Sequence, residues 1–208
     1  MPTPTRLPVA EVFSAYIQRT GFLEFITLLD AGKKIMPLFL SPVDANLTAM
    51  MSATTPLSTR VISVLRIAAD DSPPPCLFMA WQAHSGQLML DDNGRLKPCV
   101  VDMPTESEDP GFVNLRPDQT SLHAFDLIRQ LAGLYAWAET ANTFFSWPLQ
   151  RQTEALKRSQ ETVMAGTSDP VQADQFAVFD PERMQWHFID IAALEQAAER
   201  IRFSPSWS

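Results

Sequence analysis

The residues best suited to chemistry lie near the C-terminal end, where Asp180, Glu182, His187 and Asp190 fall within eleven positions. A hairpin turning at Asp180-Pro181-Glu182-Arg183 would bring the His187 imidazole beside a carboxylate, which is the minimum for general acid–base work. The same residues have a plainer use. Trp186, His187 and Phe188 alternate along a short strand, one face to the core, and Asp190 stands where a helix N-cap belongs. No catalytic residue is assigned.

Other chemistries fare less well. The five Cys and His residues, Cys76, His84, Cys99, His123 and His187, are isolated from one another. No CxxC, HxxxH or HExxH pair is present to start a zinc site, and no metal ligand is assigned. No GxSxG elbow occurs, and the seven glycines form neither GxGxxG nor GxxxxGK[ST], so no nucleotide or other cofactor is expected. Cys99 beside Pro98 reads as a buried inert thiol, and both cysteines are expected to be free.

A second polar group, His123, Asp126, Gln130 and Thr140, lies along one stripe of a predicted helix and lines a crevice or faces water. At the end of that helix Trp137, Phe144, Phe145 and Trp147 place four large aromatics within eleven residues. They can be core, but Trp and Phe are also what partner-binding hot spots use. These four are the candidate partner-binding residues.

The elements that position these side chains follow from periodicity and turn residues. Pro8 to Gly21 has an apolar stripe of Val9, Val12, Phe13, Tyr16 and Ile17 and predicts a helix. Phe22–Leu29 and Lys34–Leu40 predict a hairpin around Asp30-Ala31-Gly32-Lys33, with Pro37 on an edge strand. Ser41-Pro42-Val43-Asp44 opens a helix to Ala53, and Thr59 to Ala69 fits either helix or strand. Residues 76–102 predict a three-stranded meander turning at His84-Ser85-Gly86 and at Asn93-Gly94, where both central residues are expected at positive φ. Pairing across those turns would set Leu88 against both Ala83 and Cys99. Asp118 or Thr120 caps a helix expected to run to about Phe145, Pro148 restarts a polar helix to Met164, and a hairpin and final helix close the chain. This order does not alternate as β-α-β. The fold class expected is α+β: small antiparallel sheets, a hairpin plus a meander, packed against a long central helix, with a C-terminal hairpin and helix.

With 208 residues, 46% apolar and 19% charged, the chain is long enough to bury a real core without metal or disulfide. Proline-flanked MPTESEDPG divides it into an N-terminal α+β part, 1–102, an acidic linker or loop, 103–117, and a helical part, 118–208, packed as one unit. The net charge is −8, with fifteen of the 24 acids beyond residue 104. Such a surface repels phosphate backbones, so it disfavours nucleic acid except inside an assembly where Arg60, Arg66, Arg151 and Arg158 converge. The N-terminal Met-Pro-Thr-Pro-Thr-Arg lacks the apolar core of a signal peptide, and no apolar stretch approaches the ~20 residues of a membrane span. A cytoplasmic location without membrane contact is expected.

One family likeness is carried by particular residues. Met36-Pro37-Leu38-Phe39-Leu40-Ser41, Asp44-Ala45, Pro56-Leu57-Ser58-Thr59-Arg60 and Arg116-Pro117-Asp118-Gln119-Thr120 resemble, over about residues 22–130, motifs of the bifunctional nuclease domain family. The segment of hairpin, proline and short helix also resembles the N-terminal domain of SseB-like secretion-associated proteins. The resemblance implies a related mixed fold. Thr59 and Arg60 stand where the nuclease family has His-Asp, and Gln119-Thr120 where it has Asp-Ala, so no catalytic residue carries over. The expected function is a non-catalytic interaction subunit or accessory factor of a larger cytoplasmic assembly, with a protein partner or a second copy of itself. The alternative is a divergent metal-dependent nuclease or hydrolase.

Overall fold

The computed structural model describes residues 12–19, 22–30, 32–52, 59–64, 66–68, 73–103, 105–109, 112–115, 117–134, 143–144, 146–163, 166–168 and 171–203. It is an α+β fold with a mixed, open sheet. The strands are β1 (Val12–Arg19), β2 (Phe22–Phe25), β3 (Leu28–Asp30), β4 (Lys33–Phe39), β5 (Thr59–Val64), β6 (Arg66–Ala68), β7 (Pro75–His84), β8 (Gln87–Leu88), β9 (Pro98–Asp102), β10 (Thr105–Asp109), β11 (Phe112–Leu115), β12 (Gln175–Asp180) and β13 (Gln185–Asp190). The helices are α1 (Pro42–Ser52), α2 (Gln119–Leu131), α3 (Leu149–Val163) and α4 (Ile191–Phe203). No described helix is long and apolar enough to cross a membrane.

Ten of the described strands form the main sheet: six are bonded along the path β13-β12-β7-β4-β1-β2, and β3 pairs with β4, β5 with β1, and β8 and β9 with β7 off that path; β10-β11-β6 form a smaller sheet. β7 is the spine. Its run Cys-Leu-Phe-Met-Ala-Trp is buried throughout, as expected of a strand covered on both faces. On one edge it pairs in parallel with β4 (Met36↔Pro75 to Phe39↔Phe78) and then, further along, antiparallel with β12 (Ala177↔Trp81 to Gln175↔Ala83). β4 and β12 therefore meet head to head on that edge, near Phe78–Trp81. The other edge takes β8 and β9.

A bulge in β7 decides which side chains face which layer. The register against β9 shifts between Phe78 and Ala80, so Met79 and Ala80 together oppose Cys99 and the alternation is displaced by one. Leu77, Met79 and Ala80 thus join Leu38, Val178 and Ile189 under α2, through Phe125 and Ile128. Phe78, Trp81 and Ala83 fall on the opposite face with Phe39 and Ala177. Beside them Val43 and Leu47 of α1, Ala155 and Leu156 of α3, and Phe179 form a third cluster.

Several sequence expectations are corrected here. Val12–Arg19 is a strand, not part of a helix. Val12 to Tyr16 are all buried, and a strand buried on both faces loses the period of two, so its apolar residues imitate a helical stripe. β3 and β4 do form a hairpin around Gly32, at φ +79°, but β2 pairs back onto β1. Thr59–Val64 and Arg66–Ala68 are strands. In the meander the Leu88↔Ala83 pair is as expected, but β9 lies against β7 with Cys99 opposite Ala80, not against β8. The two turns also differ from expectation. Positive φ falls on Ser85 and Gly86 (48° and 78°), whereas at the second turn it falls on Gly94 and not on Asn93, with the Asp91 carboxylate accepting from the Asn93 and Arg95 amides. Residues 105–115 contain strands β10 and β11 where a linker or loop was expected. Strands from both sides of that segment share the main sheet.

The expected helix from 118 to 145 ends at Leu131. Asp118 caps it, accepting from the Ser121 amide at 2.6 Å. Gly133, at φ +70°, closes it: the Leu134 amide donates to the Arg129 carbonyl and the Gly133 amide to that of Gln130. Apolar periodicity continues through LAGLYAWA, but the paired bonds to Arg129 and Gln130 terminate the helix at the glycine.

Candidate functional site

The start of α3 carries the most unusual surface. The chain enters it at Pro148, so Leu149 sits in the first turn, and it is 77% exposed. Phe144 lies beneath, 1% exposed, packed among Val43, Leu47, Ala155, Leu156 and Phe179. Trp147 bridges the two levels. Its ring meets Phe144 at 5.8 Å between centroids, its carbonyl accepts from Gln152 Nε2 at 2.9 Å, and the Arg151 guanidinium lies 3.8 Å over its half-buried face. One turn further, Leu149, Gln150, Thr153, Glu154 and Lys157 line an open depression. Ser159 holds the other side of α3 to the sheet, its carbonyl accepting from Trp186 Nε1 at 3.1 Å. The helix is therefore fixed along one face, and a tryptophan, an arginine and a leucine stand at the margin of the other.

Of the four aromatics singled out in the sequence, Phe144 is in the core and Trp147 at the surface margin. Trp137 and Phe145 lie outside the described residues, as does Thr140.

The polar cluster near the C-terminal end is partly assembled. His187 Nε2 lies 3.6 Å from Asp180 Oδ2, and both are on the face of the hairpin that carries Val178. Asp180 Oδ1 accepts from the Glu182 and Arg183 amides, so this carboxylate also closes the turn. Glu182 is exposed. Asp190 faces the other way and accepts from Gln175 Nε2 at 2.8 Å. His84 Nδ1 is 3.1 Å from Asp174 Oδ2, close enough for an ion pair but off the line of a hydrogen bond.

Two residues that sequence inspection passed over complete a buried charge cluster. Arg129, 3% exposed, projects from the last turn of α2, and Asp44, 7% exposed, from the first turn of α1. The positive guanidinium interacts electrostatically with Asp44, Asp126 and Asp180. Burial pushes the Asp44 carboxyl up to about 6, against the opposing pull of Arg129 and a hydrogen bond from Ser41. Burial likewise lowers Arg129 from the usual guanidinium range, while the three carboxylates oppose the shift. A basic residue in the last turn of a helix is ordinarily a cation with a solvated head, favoured there by the helix dipole. What could have marked Arg129 was its spacing from Phe125, which places both on the buried side of α2.

Among the described residues no group of three or more Cys, His, Asp and Glu side chains is arranged to hold a metal ion. Cys76 and Cys99 are free thiols, both pushed up to about 11, chiefly by burial. No known protein family, no curated protein and no solved structure matches the chain.

Proposed function

We propose that this protein is a non-catalytic interaction subunit of a larger cytoplasmic assembly, and that it docks a protein partner on the start of α3 through Trp147, Leu149 and Arg151. The observation that carries the reading is Leu149. A leucine 77% exposed, beside a half-buried tryptophan on whose ring an arginine is stacked, combines two residue types enriched at hot spots with apolar area that solvent alone does not favour. The platform is rigid, because Phe144 anchors it from below and Ser159 ties α3 to Trp186. A preformed surface of this kind loses little side-chain entropy on binding.

The test is a set of three variants of the full chain. Leu149→Glu and Trp147→Ala are expected to leave folding stability within about 1 kcal/mol of wild type. They should also abolish recovery of a stoichiometric partner that wild type captures from its own cells. Phe144→Ala is the contrasting control, expected to cost about 3 to 5 kcal/mol of stability because it empties a packed core site. Retention of the partner by Leu149→Glu and Trp147→Ala would refute the assignment of this surface.

A further inference from the structure

The main sheet ends at β13. Its residues face β12 in unbroken register, from Asp190↔Gln175 to Gln185↔Asp180, and among the described residues no strand pairs with its other edge. Which backbone groups that edge leaves unpaired follows from one bond. The Ile191 amide donates to the Asp174 carbonyl at 3.0 Å, which makes Ile191 and Asp174 a hydrogen-bonded pair. Such pairs alternate along an antiparallel ladder, so Ile189, His187 and Gln185 are also bonded to β12. The far side of β12 agrees: Gln82 turns its amide to Lys97 and its carbonyl to Met89, leaving Trp81 and Ala83 to bond Ala177 and Gln175. Trp186, Phe188 and Asp190 therefore turn their amides and carbonyls outward. We propose that this edge is a dimer interface, on which β13 of a second copy of the chain lies antiparallel about a two-fold axis between the two Phe188 residues.

The edge is complementary to itself. In this register Phe188 meets its own counterpart and Trp186 meets Asp190, so every outward amide and carbonyl of both strands is bonded. The pairs in between set His187 against Ile189. No like charges stand opposite each other, because the two Asp190 carboxylates fall at opposite ends of the ladder, about 13 Å apart along the strands. Trp186, His187 and Phe188 are all half-buried, as side chains are when their remaining cover is a neighbouring strand. The edge also lacks the devices that ordinarily block such pairing. Of the other outer strands β2 carries Glu24, β5 carries Arg60 and β9 opens at Pro98. β13 has no proline, lysine or arginine, and its one carboxylate stands at its end. An aromatic on the axis with the acid at the far end is the placement that lets a strand pair with itself. The net charge of −8 makes two copies repel at long range, so salt strengthens their association. This interface is separate from the surface at the start of α3.

Sedimentation velocity of the full chain over a range of concentrations tests this, together with residue-resolved amide exchange at the two ends of that range. A monomer–dimer equilibrium is expected, shifted toward dimer by added salt. The Trp186, Phe188 and Asp190 amides should exchange freely in the monomer and gain about tenfold or more in protection in the dimer, while those of Gln185, His187 and Ile189 are protected in both. Asp190→Pro deletes an outward amide and no bond to β12, and should weaken dimerisation about tenfold or more. A monomer at every concentration overturns the proposal. So does a dimer whose three outward amides stay unprotected, one that Asp190→Pro leaves intact, or one that Leu149→Glu abolishes, since the last would place self-association on α3. Should Asp190→Pro fail to fold, the pattern of amide protection in wild type decides the matter alone.

Discussion

Replacing Asp44 by Asn keeps the volume and the hydrogen-bonding shape of the side chain and removes only its ability to ionise. Its worth to global stability follows from the titration. The folded carboxyl stands at about 6, above the usual 3.8, because burial outweighs the pull of Arg129 and Ser41. A group raised in the folded state stabilises fully below its unfolded value, and that contribution is lost as pH rises through the folded one. Between pH 5 and pH 7.5 the loss is on the order of 1.4 kcal/mol. Urea denaturation of both proteins at the two pH values isolates it, since every other titrating group is common to both. The Asn variant should gain about 1.4 kcal/mol on wild type from pH 5 to pH 7.5, with an unchanged urea dependence. A constant difference would show that Asp44 does not titrate between its folded and unfolded states. A difference of opposite sign would mean that the attraction of Arg129 exceeds the cost of burial, and would refute the reasoning.

Two further outcomes concern the turns and the thiols. Gly86 and Gly94 both lie at positive φ with open space where a Cβ would stand, so valine at either position should cost about 1 to 3 kcal/mol through backbone strain alone. The two thermal midpoints should fall by similar amounts, and a drop confined to Gly94→Val would contradict the geometry at Ser85-Gly86. Denatured, non-reduced protein should titrate with two thiols. In the native state at pH 8 both should react about a hundredfold more slowly than in the unfolded chain, because thiols at about 11 hold little thiolate. Native rates equal to denatured ones would show that the two sites are open to water.

What could be read in the sequence was local and polar. The helix start at Ser41-Pro42 is placed by a cap residue and a proline, the end of β12 and the start of β13 by Asp180-Pro181, and the α2 cap by Asp118, all signals that act within four residues. Burial on both faces was not legible. Val12–Tyr16 is buried at every position, Ser14 included, so its apolar residues do not alternate, and the run fits strand and helix equally. The return of β9 to β7 was missed because Asn93-Gly94 promises a tight two-residue turn, while the Asp91 carboxylate holds a wider one. The stop at Gly133 was visible as a glycine but outweighed by the apolar run around it. The candidate surface was half legible: aromatic clustering pointed to Trp147, whereas the exposure of Leu149 follows from which face of α3 the sheet covers. The charge cluster was least legible, since Asp44, Arg129 and Asp180 are separated by 85 and 51 positions. Only the meeting of β4 and β12 on one edge of β7 brings them together.

That shared edge also bears on how the chain can be made. β7 is bonded to β12 across more than ninety positions, so the outer part of its edge has no partner until residues 175–180 have been synthesised. During that interval the apolar run Cys76–Ala83 holds an unpaired edge and lacks both α2 and α3 as cover, the condition in which nascent chains pair with one another. A fragment ending near residue 117 would remain in that condition permanently. The C-terminal hairpin is therefore the last part of the main sheet to be synthesised, and it closes an edge that is open to pairing between chains until then.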